Sequence, residues 1–139
     1  MKKIIAIIVA FVVVIGGVIG IGIAKKSADK SSTTIKIGGV FDTSGAAAAY
    51  GQAEQKGADF AVKRINAAGG VKVNGKTYKM QMVNKDSKSD NTESASVTTN
   101  LISNNKVNAI VGPVTTSAVQ AAVPAATKGK TPKIGRAHV

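Results

Sequence analysis

The chain of 139 residues is short enough for a single domain, since domains usually take about 100–200 residues. It contains no cysteine, which excludes a disulfide framework, a thiolate metal site, a thiol nucleophile and a lipid-bearing cysteine. The formal net charge is +12, but only two of the cations are arginine and 4% of the residues are aromatic. Nucleic-acid binding favours clustered arginine with interleaved aromatics. The charge therefore indicates a solvated, lysine-rich surface near an anionic cell envelope.

The N-terminal segment is the most apolar part of the chain. After Met1-Lys2-Lys3, residues 4–24 are all apolar or glycine. A helix of this length extends about 32 Å, enough to cross a hydrocarbon core of about 30 Å. A secretory signal has a shorter apolar stretch, of about 7–15 residues, before its cleavage site. We therefore expect residues 1–24 to form a transmembrane anchor or signal-anchor, with cleavage after Gly22-Ile23-Ala24 as the alternative.

Residues 25–34, KKSADKSSTT, are small and polar, which is typical of a flexible linker. Lysines flank the apolar run on both sides, so their local count does not set its orientation. The export-like start nevertheless favours a location at the cell membrane, with the globular part extracellular. After cleavage the protein is instead expected to be secreted or periplasmic.

From residue 35 onward, strand-like and helix-like patterns alternate, as in α/β proteins. Asn74-Gly75 predicts a tight hairpin turn, and Asp90 or Asn91 is expected to cap a helix. Alternating strands and helices imply a parallel sheet with right-handed crossovers. Ligands bind beyond the carboxyl ends of such strands, here in loops 42–50 and 112–117. The predicted strands are 35–41, 78–83 and 107–111, and the predicted helices are 50–67, 91–104 and 117–126.

The predicted loops contain hydroxyl groups but no complete catalytic motif. Their glycines lack the G-x-G-x-x-G spacing of a nucleotide-binding loop, and Asp42-Thr43-Ser44-Gly45 lacks the second carboxylate that an aspartic protease needs. Ser44, Thr116 and Ser117 are candidate nucleophiles only beside a base, and the single His138 is next to the last residue. No His, Asp or Glu cluster has metal-ligand spacing. We therefore expect no catalytic residue, no metal and no cofactor.

The same loops suit an anionic ligand group. Hydroxyls and free backbone N–H groups at a helix N-terminus bind groups such as carboxylates, and Thr116 and Ser117 begin a predicted helix. Tyr50, at the start of another predicted helix, is placed to cover an apolar part of a ligand. The residues alone leave an alternative open, in which Thr115, Thr116 or Ser117 simply caps the helix.

Three segments resemble the branched-chain amino-acid (Leu/Ile/Val) binding proteins of ABC importers. The first, IKIGGVFDTSGAAAAYGQAEQKGADFAVKRINAAGG, contains the family's strand, x-x-S-G, Tyr-Gly, a helix with G-A, and I-N-x-x-G-G. The second, NGKTYKMQMVNKDSKSDNTESASVTTNLI, matches the next strand, Asp-containing loop and helix. The third, VNAIVGPVTTSAVQAAVPAA, matches the third strand, V-G-P and a hydroxyl loop. The similarity spans residues 35–133.

The resemblance implies an α/β fold with a partial doubly wound parallel sheet. Residues 35–133 are then the N-terminal part of a type I periplasmic-binding lobe, which lies behind an N-terminal transmembrane helix. The implied function is the extracytoplasmic substrate-binding component of an ABC importer, which is not an enzyme. The implied partners are a branched-chain or related amino acid, the ABC permease subunits and the membrane, with no nucleic acid.

Site residues follow from the same resemblance. Thr116 falls where a hydroxyl residue binds the ligand carboxylate, with Ser117 beside it, and Tyr50 falls where an aromatic side chain covers the ligand. Ser44 and Gly45 match the loop that shapes the first wall of the pocket. Residues 46–49 depart from the bulkier, Pro-containing version that is common in the family, which puts the size of the pocket in question.

The end of the chain departs from the family, whose members are much longer. The last six residues, IGRAHV, are the translation of a DNA stretch that resembles a sequencing-library adapter. We therefore expect residues 134–139 to be non-native and the genomic reading frame to continue differently past Lys133. A genuine short protein with a basic tail is the alternative.

Three other functions stay open at this point. The first is a binding protein for another small ligand, such as another amino acid, an amide or urea. The second is a fragment of a doubly wound enzyme. The third is a membrane-anchored interaction module that uses its charge, for which binding falls steeply with added salt.

Overall fold

The structure, a computed structural model, describes residues 33–135. The predicted anchor at 1–24, residues 25–32 of the predicted linker and residues 136–139 lie outside the described residues. All three predicted helices and all three predicted strands are confirmed, and the first strand begins at Thr34, which the sequence analysis assigns to the linker. The elements are β1 (Thr34–Phe41), α1 (Ala48–Ala67), β2 (Val71–Val73), β3 (Lys76–Asp86), α2 (Asn91–Ser103), β4 (Ala109–Val111), α3 (Thr116–Lys128) and β5 (Lys133–Ile134).

The strands form a single mixed sheet in the order β2-β3-β1-β4-β5. β1 lies at the centre, parallel to both β3 and β4, and β5 is parallel to β4. β2 is antiparallel to β3, since Asn74 and Gly75 adopt φ values of 48° and 78° and reverse the chain. The predicted parallel sheet is therefore confirmed in its central part, and the predicted hairpin turn adds an antiparallel edge strand to it.

The helices cover the two faces of the sheet unequally. A Cβ at Gly38 would lie 3.1 Å from the side chain of Leu101 in α2. A Cβ at the next residue, Gly39, would lie 2.5 Å from Oδ1 of Asn84, whose amide donates to Asp59 of α1. Because successive strand residues face opposite sides, α2 lies on one face and α1 on the other. α3 packs against α2.

The apolar core lies between the sheet and α2. The side chains of Val40, Leu101 and Ile110 are fully buried there, together with Val97 and Val107. Val97 and Leu101, four residues apart in α2, therefore lie on the face of this helix that packs against the sheet. This face supplies most of the hydrophobic stabilisation of the described residues.

Helix α1 buries fewer residues than α2 or α3. It contacts β1 and β3, but Gly51 is its one buried residue and Phe60 exposes 61% of its surface. The Arg64 guanidinium lies over the Phe60 ring at 5.9 Å from its centroid. Within residues 33–135, no helix has the length and apolar character needed to cross a membrane.

Candidate ligand-binding site

The strand order places a topological switch point, the position at which open α/β sheets form a ligand crevice, at the carboxyl ends of β1 and β4. From β1 the chain crosses to β3 on one side, whereas from β4 it crosses to β5 on the other side. The loops that leave these neighbouring strands therefore diverge, and such switch points are where open α/β sheets bind ligands. Loop 42–47 follows β1 and loop 112–115 follows β4. The two loops singled out by the sequence analysis thus begin side by side.

Asp86, the last residue of β3, holds the loop after β1 in shape. Its Oδ1 accepts hydrogen bonds from the backbone N–H groups of Thr43 at 3.0 Å and Ser44 at 3.2 Å. Its Oδ2 accepts a bond from the Ser44 hydroxyl at 2.6 Å. The N–H of Lys88 donates to the same Oδ1 at 2.9 Å. The hydroxyl of Ser44, a predicted site residue, is therefore engaged within the loop.

These contacts favour the ionised form of Asp86. Burial by itself raises the pKa of this carboxyl, but the bonds from the Ser44 hydroxyl and from the N–H groups of Lys88, Ser44 and Thr43 outweigh it. The pKa of Asp86 consequently lies below its ordinary value of 3.8. At neutral pH the loop is organised around a negative charge.

Ser89 joins the loop after β3 to the start of α1. Its Oγ accepts a bond from the N–H of Ala47 at 2.9 Å and donates to the carbonyl of Ser44 at 2.9 Å. Gly45 lies in this junction with φ 81°, and a Cβ there would lie 2.4 Å from the Lys88 carbonyl oxygen. Glycine is thus required at Gly45, both for its positive φ and for the close approach of the two loops.

Asp42 lies beneath the loop and is fully buried. Its Oδ1 accepts a bond from the Ser87 hydroxyl at 2.5 Å, and its Oδ2 has no hydrogen-bond partner among the described residues. A Cβ at Gly51 would lie only 2.2 Å from the Asp42 carbonyl oxygen. The Tyr50-Gly51 pair therefore brings the first turns of α1 against the end of β1. Tyr50 itself keeps 73% of its surface exposed.

The loop after β4 approaches β1 equally closely. Gly112 has φ 91°, and a Cβ at this position would lie 2.1 Å from the Val40 carbonyl oxygen. The following Pro113 is fully buried and is joined to Gly112 by a cis peptide bond. This packing fixes the direction from which the chain enters α3.

The N-terminus of α3 carries no side-chain cap. Thr115 occupies the cap position, but its hydroxyl makes no capping hydrogen bond. The hydroxyls of half-buried Thr116 and exposed Ser117 are not bonded to any of the described residues. The alternative in which one of these residues caps the helix is therefore not observed. Both hydroxyls, and the first N–H groups of α3, are available to an anionic group.

A partly buried carboxyl lies on α1 below the crevice. Burial raises the pKa of Glu54, the Asp42 carboxylate raises it further, and the Lys133 ammonium opposes both. Burial likewise lowers the pKa of Lys133, against the effect of Glu54. The Oε2 of Glu54 has no hydrogen-bond partner among residues 33–135. Glu54 and Asp42 are thus two carboxyl groups that interact near the carboxyl end of β1.

Residues at and directly after the end of β3 thus hold the loop that follows β1. Asp86, Ser87 and Ser89 all contact the loop after β1, although the sequence indicates only an Asp-containing polar run between a strand and a helix at this position. The position of that run directly after a strand was the available clue, and the pairing of β3 with β1 makes the contact. In the described part of the chain, no three His, Cys, Asp or Glu side chains are arranged to hold a metal ion.

A largely parallel sheet with helices on both faces and a crevice at the β1/β4 switch point defines an α/β ligand-binding lobe. The sequence profile described as "Periplasmic binding protein" matches residues 34–139. The chain belongs to the periplasmic binding protein family.

Solved structures of several binding proteins are similar to this chain. It is 54% identical to LivJ from Streptococcus pneumoniae str. Canada MDR_19A, the substrate-binding protein of a branched-chain amino acid transporter solved in complex with isoleucine. The TM-score is 0.69, and the match covers 75% of this chain and 29% of LivJ.

Two further structures are similar at lower identity. A solute-binding protein of an ABC transporter from Rhodopseudomonas palustris BisB5, in complex with 3,4-dihydroxybenzoic acid, is 34% identical with a TM-score of 0.61, over 76% of this chain and 27% of that protein. A possible leucine/isoleucine/valine-binding protein from Rhodopirellula baltica SH 1 is 27% identical with a TM-score of 0.63, over 72% of this chain and 26% of that protein. The chain thus spans less than a third of each relative, and the resemblance noted from its motifs is confirmed.

Proposed function

We propose that the protein is the extracytoplasmic substrate-binding component of an ABC importer, and that it binds a branched-chain or related amino acid. The observation that carries this proposal is the 54% identity with LivJ, a branched-chain amino acid binding protein solved with isoleucine. Because the match covers 29% of LivJ, the proposal concerns a protein of family length that contains this lobe.

The geometry of the crevice suits a zwitterionic ligand. The uncapped N-terminus of α3 offers Thr116, Ser117 and backbone N–H groups to the carboxylate. The carboxyl-rich opposite side, with Asp86 ionised, favours the ammonium group electrostatically. Ser44 and Gly45 form the first wall of the ligand pocket, and Tyr50 covers the apolar side chain of the ligand.

A second candidate ligand is an aromatic carboxylic acid. The 34% identical relative was solved with 3,4-dihydroxybenzoic acid, which shares a carboxylate with an amino acid but has no ammonium group. The small residues Ala46, Ala47, Ala48 and Ala49 precede exposed Tyr50 and leave room for a ring. An amide or urea has no carboxylate to use the α3 terminus, so the structure supports these ligands less.

We do not propose an enzyme. The matching family profile and LivJ are both described as binding proteins, so Ser44, Thr116 and Ser117 are assigned to ligand binding. The proposed partners are therefore the ligand and the ABC permease subunits that receive it. The proposed location is the cell membrane, with the lobe on the outer side.

Titration calorimetry on the family-length protein tests the ligand and the site together. Isoleucine, leucine and valine are expected to bind, and 3,4-dihydroxybenzoate to bind more weakly or not at all; the reverse order would establish the second candidate. Thr116→Val removes one hydrogen bond to a charged carboxylate, which costs about 1.5–3 kcal/mol, or about 10- to 150-fold in Kd. Thr127→Val, at the other end of the same helix, is the matched control and is expected to leave Kd unchanged.

Tyr50→Ala is expected to weaken binding through lost apolar cover, whereas Tyr50→Phe retains it. Unchanged affinity in both Thr116→Val and Tyr50→Ala would contradict the assignment of the site, even if the amino acid binds tightly.

A further inference from the structure

Charged residues are segregated between the two ends of the sheet. All six acidic residues at positions 33–135 lie at the carboxyl ends of the strands or in the adjoining half of the lobe: Asp42, Glu54, Asp59, Asp86, Asp90 and Glu93. The opposite end, where the parallel strands begin and the helices finish, is called the amino edge here. Nine of the thirteen lysine and arginine residues in this range belong to it, namely Lys36, Lys63, Arg64, Lys72, Lys76, Lys79, Lys106, Lys128 and Lys130.

These nine cations project from several elements onto one exposed edge. Eight of them are exposed, and Lys36 is half-buried. The Nζ atoms of Lys36 and Lys79 donate to the backbone carbonyls of Asn105 and Asn66. Across the described residues, the salt bridge within 4.0 Å joins Lys88 and Glu93, at the opposite end of the sheet. The positive charge of the amino edge is therefore not neutralised by the lobe.

Helix dipoles account for only part of this arrangement. Lys63 and Arg64 lie in the last turns of α1, and Lys128 and Lys130 lie at the end of α3, where cations are stabilised by the partial negative charge of the helix. Lys72 and Lys76 flank the β2–β3 hairpin turn, so no helix terminus favours them. The apolar Val73 lies between the hairpin lysines and is 44% exposed.

We propose that the amino edge docks on the surface of an anionic phospholipid bilayer. Lysine and arginine side chains near such a surface are attracted to its negative potential, and an apolar residue between them can enter the headgroup layer. The carboxyl ends of β1 and β4, with the candidate ligand site, then face away from the membrane and stay open to solvent.

The course of the chain favours a bilayer over other anionic surfaces. Thr33 lies at the amino edge, where its carbonyl accepts a bond from the N–H of Lys79 at 2.9 Å. The apolar run 4–24 precedes it by only the segment 25–32, which itself contains Lys25, Lys26 and Lys30. The apolar run that the sequence predicts to enter a membrane is therefore joined to the lobe at the amino edge, and not at the carboxyl ends of β1 and β4.

The test uses the whole chain added to vesicles of phosphatidylcholine alone or mixed equally with phosphatidylglycerol. Because the chain has no cysteine, one fluorophore can be attached at Thr77→Cys in the hairpin or at Ser96→Cys, exposed on α2 in the opposite half. Energy transfer to a headgroup acceptor is expected to be stronger from position 77 than from 96 in the anionic vesicles. The difference should disappear in 1 M salt, where the Debye length is about 3 Å.

Two triple variants with the same loss of charge separate docking from net charge. At about fivefold per cation, removing three is expected to weaken docking on the order of a hundredfold. The amino-edge variant is Lys63→Gln, Lys72→Gln and Lys76→Gln, and the control at the other end is Lys56→Gln, Lys85→Gln and Lys88→Gln.

The proposal predicts loss of the energy-transfer difference in the first triple and its retention in the control. Equal loss in both triples, or equal transfer from positions 77 and 96 in anionic vesicles, would overturn it. Binding to a soluble polyglycerol phosphate without docking on vesicles would also overturn it, and would assign the edge to an anionic wall polymer. None of these outcomes depends on whether the protein binds an amino acid.

Discussion

The same substitution at two glycines of α1 is expected to have opposite effects. In the interior of a helix, alanine is favoured over glycine by about 1 kcal/mol. At Gly57 nothing lies within 4 Å of an added Cβ, so Gly57→Ala should stabilise the protein by close to that amount. At Gly51 the added Cβ would lie 2.2 Å from the carbonyl oxygen, 2.4 Å from the carbonyl carbon and 2.7 Å from the nitrogen of Asp42. Gly51→Ala should therefore be destabilising.

The size of the destabilisation in Gly51→Ala follows from which atoms the added Cβ must displace. The atoms of Asp42 that the Cβ meets belong to the backbone at the end of the central strand, so no side-chain rotation relieves the clash. α1 must move away from β1 by roughly 0.8 Å to bring the added Cβ to a tolerable distance from the Asp42 carbonyl oxygen. A gap of this size removes about a quarter to a half of the dispersion energy of each contact between the two elements. Overpacking costs about 1–3 kcal/mol in general. Because the clash is with backbone, we take the upper end of this range, and after subtracting the helix-propensity gain of about 1 kcal/mol we expect Gly51→Ala to lower the free energy of unfolding by about 2 kcal/mol.

Urea unfolding of the family-length protein, followed by far-ultraviolet circular dichroism, measures both changes. Equal m-values would show that the two variants differ in stability and not in the extent of unfolding. Isoleucine affinity should fall in Gly51→Ala because the shift displaces Tyr50 and loop 42–47, and should be unchanged in Gly57→Ala. A Gly51→Ala variant as stable as Gly57→Ala would refute the close packing of α1 on β1.

Three other predictions concern the loop, the buried carboxyl and the anchor. Asp86→Asn replaces charge-assisted hydrogen bonds by neutral ones and should cost about 1–2 kcal/mol in urea unfolding, whereas Asp90→Asn retains a good helix cap and should cost only a few tenths. Because the folded protein favours the protonated form of Glu54, its raised pKa stabilises the fold below the unfolded pKa of about 4.5, and this stabilisation is lost as pH rises through the folded pKa. Glu54→Gln should therefore have a higher urea midpoint than the parent protein at pH 7, and this difference in midpoint should shrink toward pH 4. A difference that stays constant with pH would contradict the raised pKa. The expressed protein should stay with membranes after a high-salt wash, and N-terminal sequencing that begins at Lys25 on a soluble form would instead establish a cleaved signal.

Much of the local structure could be predicted because its causes are local. Asn74-Gly75 forms the predicted turn, since these residue types tolerate positive φ. Asp90 caps α2 as expected, its Oδ1 accepting a bond from the N–H of Glu93 at 2.7 Å. β2 and β5, of three and two residues, lie outside the predicted strands, because runs this short show no periodicity and form only by pairing with a neighbour.

In the candidate site, too, some features follow from the local sequence and others depend on contacts between distant segments. The sequence by itself determined the residue types at the crevice: the hydroxyls at 116 and 117, the glycine at 45 and the aromatic at 50 all follow from motifs within one loop or one helix end. Only the tertiary structure decided that Asp86 and Ser89 organise the loop around Ser44, more than 40 residues away in the sequence. It also decided that Phe60, a large apolar residue within α1, is exposed. Hydrogen bonds between loops and the burial of a helix face depend on which strands become neighbours, and that pairing is a property of the whole sheet and not of any single segment.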